Sequence, residues 1–384
     1  MTEAKKPLPD YRLPKSVLRW VGVGLVLSTS VVAIITIFSG VTWSDLERLG
    51  YLTFGLAAVA SVARLLFQCL RFRVITVGIT GDSKLDLRGL AIARLASEFI
   101  AISTPSEIGG PILRAAWLSG KGIEGGKALW IGYFEVLVQI YVGAGLGLIA
   151  AAYAFSRGAL VLGSTIAVVA IILIVVYTLV FVLPAVKTIK VPHRLFGIAS
   201  YLVGGPRATA LYVRVIVSSL NFSISARAIM NAKTLPMLIK VVGLTILEDL
   251  FAGVSLWLVL NAAGLKIDLF SATFAVFGAM TVAAIPISIG GSGVMELTMQ
   301  SYLTSVYGFS SWAAVVLWRI ASYQAVLAVT GIAFLLLTRM ATGSKKTDLI
   351  QGEEPLHETS DSHPSAPGSF HRGDPAIEPS TSEA

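Results

Sequence analysis

Pro105-Ser106-Glu107-Ile108-Gly109-Gly110 interrupts one apolar, helix-like stretch of this chain, and Pro286-Ile287-Ser288-Ile289-Gly290-Gly291 interrupts another in the same way. The shared pattern is Pro-x-x-Ile-Gly-Gly. Proline removes a backbone donor and disrupts a helix, and paired glycines add conformational freedom. In hydrocarbon, broken backbone is tolerated only where protein or a water-lined cavity satisfies the freed groups. Two such breaks at corresponding places in two halves of a chain point to a transport site. The alternative is a pair of ordinary interfacial turns.

Outward from the breaks, the flanking segments are apolar but short. Leu90 to Leu118 is cut into two halves by the first break, and Ser271 to Tyr302 is cut likewise by Pro286 to Gly293. Neither half can cross alone, so each segment reads as a re-entrant helix pair that enters and leaves on one face. Trp20 to Ser39, Leu49 to Leu70, Ala128 to Tyr153 and Ala159 to Pro184 are long enough to span. Ile239 to Ala263 and Trp312 to Thr338 are later candidates that carry charges. With 384 residues, 55 % hydrophobic and 14 % charged, the chain is predicted to be all-α: a polytopic helical membrane protein with two re-entrant broken-helix repeats.

Three regions follow from this reading. Residues 1–18 form a cytoplasmic N-terminal segment, 19–340 the membrane domain and 341–384 a tail. The tail is rich in Pro, Ser and Glu, with eight acids against three bases after Thr342, and is predicted to be disordered. Lys5, Lys6, Arg12, Lys15 and Arg19 before the first span favour a cytoplasmic N-terminus in the cytoplasmic (inner) membrane. The first apolar run exceeds a signal-peptide core and lacks a cleavage site, so it reads as an uncleaved helix. Ala210 to Lys240 is ambiguous. Without a net crossing there, three crossings separate the breaks and the repeats are inverted; with one crossing they are parallel. Lys345 and Lys346 favour a cytoplasmic C-terminus, hence the inverted arrangement.

The net charge of +8 is not a nucleic-acid signature, because the bases read as short-loop residues: Arg71, Arg73, Lys84, Arg88, Lys187, Lys190, Arg194 and Arg207. There they orient helices and contact anionic headgroups. Cys69 is the single cysteine, which excludes an internal disulfide, and three of the four histidines scatter through the tail. No cofactor or metal is expected. Gly78 to Lys84 lacks the spacing of a phosphate loop. Asp45-Leu46-Glu47 resembles the acidic pair of membrane glycosyltransferases that use polyprenyl-phosphate sugars, which keeps an enzymatic alternative open.

Ionisable side chains within membrane segments are costly and usually face a polar interior. Here they gather around the breaks. Arg94 and Glu98 are spaced i, i+4, as are Glu135 and Gln139. Glu107 lies inside the first break, Arg114 follows it, and Glu296 follows the second. Glu248 with Asp249, and Arg319 with Gln324, occupy later spans. One reading is a cavity for a lipid headgroup, with helix N-termini near Gly110 and Gly291 directed at a phosphate and Arg94 and Arg114 adding donors. In it, Glu107, Glu135 and Glu296 hold the arginines apart, bind a cationic headgroup or relay protons. Arg114, about two turns beyond the break, is the residue expected to bind the phosphate. The other reading is a set of buried ion pairs that fix helix register. Gly143 and Gly147 form a Gly-x-x-x-Gly packing face, and Trp20, Trp43, Trp312 and Trp318 are expected at the interfaces.

The motifs also carry a family resemblance. Ser103 to Gly110 followed by Arg114, and Ile285 to Glu296 with its Pro-x-x-x-Gly-Gly-x-Gly-x-x-Glu pattern, resemble the two signatures of the lysylphosphatidylglycerol synthase transmembrane-region family. The likeness covers roughly residues 15 to 340. Matching positions are Pro105, Glu107, Gly109, Gly110, Arg114, Pro286, Gly290, Gly291, Gly293 and Glu296. To these the ionisable cluster adds Arg94, Glu98, Glu135 and Arg319, and the second break adds Ser288, as expected substrate-binding residues. The resemblance implies a flippase-like translocator that moves a phospholipid or related anionic lipid between leaflets. No soluble aminoacyl-transferase domain follows the membrane region, so lysyl transfer is not expected. The expected partners are a membrane lipid as substrate and a lipid- or envelope-biosynthesis enzyme, with no nucleic acid. The alternative is a membrane enzyme or enzyme subunit acting on polyprenyl-phosphate-linked or glycosylated lipids.

Overall fold

The computed structural model describes residues 15–104, 109–182, 227, 234–285 and 290–351. Among these the chain is helical, with no strand. In chain order the helices are α1 (Lys15–Phe38), α2 (Trp43–Leu49), α3 (Tyr51–Thr80), α4 (Leu87–Ile102), α5 (Gly109–Gly120), α6 (Gly125–Ser156) and α7 (Leu160–Tyr177). Then follow α8 (Leu235–Ala262), α9 (Leu269–Ala283), α10 (Val294–Tyr307), α11 (Trp312–Arg319) and α12 (Ala325–Gln351). A widened π-type turn, Ile320–Gln324, joins α11 to α12, and another, Thr178–Val182, extends α7. Among the described residues four stretches are long and apolar enough to cross a membrane: Tyr51–Thr80, Gly125–Ser156, Leu160–Val180 and Trp312–Met340. The bent pair Leu25–Phe38 and Trp43–Leu49 adds a fifth if counted as one span. Helix α8 has the length but carries Lys240, Glu248 and Asp249.

The surface of α7 shows why this is a membrane fold. Val161, Val168, Ile171, Ile172, Val175, Val176 and Val180 are all exposed, with Ser164 and Thr165 between the first two, a largely apolar face that water would penalise and lipid would not. Short polar signals end and start the helices. Gly81 closes α3 in the left-handed conformation at φ 72°. Asp86 then caps α4 by accepting hydrogen bonds from the Arg88 and Gly89 amides, and Asp268 caps α9 by accepting from the Ser271 amide at 3.0 Å. Gly78 to Lys84 is thus a helix end and a turn. The Asp45 carboxylate also acts locally, accepting the Thr42 amide at 2.8 Å and capping α2.

Each break turns the chain back on itself. A Cβ at Gly110 would meet the Ser97 carbonyl and Ala101, and one at Gly89 would meet Trp117, so α5 runs antiparallel along α4. In the second half Tyr307 Oη donates to the Ser271 carbonyl, Gly278 abuts Tyr302 and Gly291 abuts Ala283, so α10 runs antiparallel along α9. With 16 and 12 residues in the first hairpin and 15 and 14 in the second, no arm exceeds about 24 Å at 1.5 Å per residue, short of a core about 30 Å thick.

The long helices define how the halves are related. Gly78 sits against Met237, Arg71 against Thr245, Gln68 against Glu248, and Ser61 against Ser255, so α3 and α8 are antiparallel along their length. Each is followed by a hairpin that doubles back beside it. The hairpins therefore approach from opposite ends, and their tips meet: Tyr323 Oη donates to the Ile102 carbonyl at 3.3 Å, and the same hydroxyl crowds Gly290. This is an inverted arrangement of the two half-repeats. Of residues 210–240, Arg227 and 234–240 lie within the described residues.

Several details differ from the sequence reading. Helix α3 continues to Thr80, which places Arg71 inside the bundle at 0 % exposure. Once the helix passes Leu70, Arg71 lies one turn beyond Gln68 on the same face. Trp318 is also interior, at 1 % exposure, because α11 presents it inward, whereas Trp43 is 69 % exposed. Gly147 does serve close packing, against Thr281 of α9, but Gly143 meets nothing within 4 Å. The chain divides into a compact unit Met1–Ala341 and a second, Thr342–Ala384, and α12 is helical as far as Gln351.

Candidate functional site

A cavity of about 640 Å³ lies where the hairpin tips meet. Ile102, Thr104, Gly290 and Gly291 line it from the two breaks. Among the described residues four charged side chains face it: Arg64 from α3, Glu98 from α4, Asp249 from α8 and Arg319 from α11. Gln68, Tyr133 and Gln139 add polar groups. Gly290 and Gly291, at φ 60° and 68°, adopt backbone that other residues resist. A side chain at Gly290 would collide with Tyr323 Oη at 2.7 Å and the Ile102 carbonyl at 3.0 Å, so glycine there is what lets the tips touch.

Behind this lining lies a buried charge network. The Glu135 carboxylate receives three guanidinium groups: Arg71 at 3.0 Å, Arg94 at 2.8 Å and Arg114 at 3.4 Å. Arg94 also donates to Glu98 at 2.8 Å, and Arg71 to Glu248 at 2.5 Å. Gln68 Nε2 donates to Glu248 at 2.6 Å, and Arg64 approaches the same carboxylate at 3.6 Å. Arg114 completes its shell on Ser97 Oγ and the Gly132 carbonyl. Removing one member of such a set leaves an uncompensated buried charge, which costs more than the intact set contributes.

The second break has its own pair. Arg319 Nε donates to Glu296 at 2.9 Å, Arg319 Nη2 donates to the Gly290 carbonyl at 2.5 Å, and the guanidinium lies 4.3 Å from the Tyr323 ring centre. The other Glu296 oxygen accepts the Gly293 amide at 2.7 Å. The N-terminus of α10 is thus capped internally.

The expected site residues therefore fall into distinct places. Glu98, Gly290, Gly291 and Arg319 line the cavity. Arg94, Arg114, Glu135 and Glu296 form the buried layer behind it, and Arg114 is 3 % exposed with no face on the cavity. Gly109 and Gly110 serve the contact of α5 with α4, and Gly293 serves the α10 cap. Pro105, Glu107, Pro286 and Ser288 lie outside the described residues. Sequence reasoning missed Arg64, Gln68 and Arg71, although their i, i+4, i+7 spacing marks one helix face and was the available signal.

Apolar helices around an internal charged cavity define a multi-pass membrane protein. The chain belongs to the family described as lysylphosphatidylglycerol synthase TM region, which it matches over residues 20–330. That membership ties it to lipid handling. No match was found among curated proteins or among solved structures.

Proposed function

We propose that this protein moves a phospholipid between the leaflets of the cytoplasmic membrane, holding the headgroup in the cavity between the two hairpin tips. The observation that carries the reading is the two-ended character of that cavity. Arg64, Glu98, Asp249 and Arg319 stand in its lining together with Ile172 and Val176 of α7 and Val180 of its π-type extension. Those three apolar side chains are also 53 %, 45 % and 54 % exposed, on a helix whose Val161, Val168, Ile171 and Val175 are exposed as well. A site that joins fixed charges to the apolar outer surface suits an amphiphile, with the headgroup inside and the chains beside α7. The inverted hairpins supply a second support, since discontinuous helices that meet between inverted repeats are how many transporters build a substrate site. Asp45 of the acidic pair behind the enzymatic alternative is engaged as a helix cap.

Gly143→Phe tests the site. Gly143 lines the cavity, and a Cβ there would meet no neighbour within 4 Å, so the backbone accepts a side chain whose ring is expected to occupy the cavity. The variant should insert and unfold thermally like the parent, while phospholipid retained on purification, measured by native mass spectrometry, falls about tenfold (~1.4 kcal/mol). Unchanged retention would contradict the placement of the lipid.

A further inference from the structure

We propose that the headgroup this cavity takes is zwitterionic, carrying one phosphate and one primary amino group. The inference rests on the lipid-site reading above and specifies its ligand. Its first ground is charge balance. Arg64 and Arg319 face the cavity against Glu98 and Asp249. Behind them Arg71, Arg94 and Arg114 stand against Glu135, Glu248 and Glu296. Among the described residues, cations and anions match in both layers. A net-anionic headgroup would leave a charge uncompensated in a low-dielectric site, whereas a zwitterion would not.

The second ground is the set of groups left without partners. Among the described residues no hydrogen bond or ion pair is made by Asp249, which is 4 % exposed and faces the cavity. Gln68 Oε1 is buried and unpartnered while its Nε2 is held by Glu248, which fixes the amide with its oxygen as the free acceptor. Trp318 Nε1 is buried and unpartnered as well, as a donor. All three residues line the cavity. The acceptors Asp249 and Gln68 sit on the adjoining helices α8 and α3, and the donors Trp318 and Arg319 sit together on α11. Unmet buried polar groups are costly, and a ligand that meets both kinds removes the cost. A primary ammonium donates to the acceptor pair, and a phosphate accepts from the donor pair.

The test uses the full-length protein in detergent, titrated with an equimolar mixture of phosphatidylethanolamine and phosphatidylglycerol bearing identical acyl chains. Adducts are read by native mass spectrometry. The wild type should hold phosphatidylethanolamine over phosphatidylglycerol by about tenfold (the equivalent of ~1.4 kcal/mol), and Asp249→Asn should bring that ratio near one. Arg319→Gln should lower both adducts together, because both lipids carry the phosphate. A wild-type ratio at or below one, or a ratio unmoved in Asp249→Asn, overturns the zwitterion assignment while leaving a lipid site in place. Absence of either adduct from the wild type overturns the lipid site itself, and this inference with it.

Discussion

Replacing Glu135 with glutamine should destabilise this protein more than any substitution in the cavity lining. Glu135 is 1 % exposed and compensates three guanidinium groups. Without its charge, Arg94 keeps Glu98 and Arg71 keeps Glu248, but Arg114 is left with a hydroxyl and a carbonyl and no anion. Breaking a buried pair by removing one partner costs about 3–5 kcal/mol. The variant should accumulate poorly and unfold at a clearly lower temperature in detergent. Because Arg114 is the group orphaned, Glu135→Gln combined with Arg114→Met should recover a substantial part of the loss. Wild-type thermal stability in Glu135→Gln, or no recovery in the double variant, would contradict the network as drawn.

The second large effect is expected at Arg319, on lipid movement, and is read first in the lysine variant, which keeps the charge that Glu296 pairs with. Its guanidinium does three things at once: it pairs with Glu296, donates to the Gly290 carbonyl and stacks on Tyr323. A lysine ammonium is a point charge that cannot reproduce a planar fork with a stacked face. Arg319→Lys should therefore slow lipid exchange about tenfold in reconstituted vesicles despite keeping the charge, by about 1.4 kcal/mol of lost interaction, and Arg319→Gln should slow it further. Full activity in Arg319→Lys would reduce Arg319 to a simple counter-charge for Glu296.

The hairpins were legible because proline and paired glycines punctuate otherwise continuous apolar sequence, and no other local signal competes with them. The Arg94–Glu98 pair was legible for a similar reason, since its spacing is set by one helix. What the sequence could not show is which carboxylate each arginine meets across the bundle. Arg71 meets Glu135 and Glu248 from helices far along the chain, and its neighbour Arg73 with the polar residues beyond made the segment look like a loop. Arg114 lies two turns past a break, which suggested a place at the opening. The fold-back of α5 on α4 instead aims it at Ser97 and α6. Gly110 shows the same limit: its missing side chain admits the neighbouring helix, a role that needs the partner helix to be seen.

The central claim, movement of lipid through the cavity between the hairpin tips, is tested most directly by leaflet exchange in reconstituted vesicles. A headgroup-labelled phospholipid is placed in one leaflet of protein-containing and protein-free vesicles of the same composition, and its arrival in the other is followed by chemical quenching. Exchange should run at least tenfold faster with the wild-type protein than without protein (~1.4 kcal/mol off the barrier), and at the protein-free rate with Gly143→Phe. Exchange no faster with the wild-type protein than without it would contradict lipid movement by this chain.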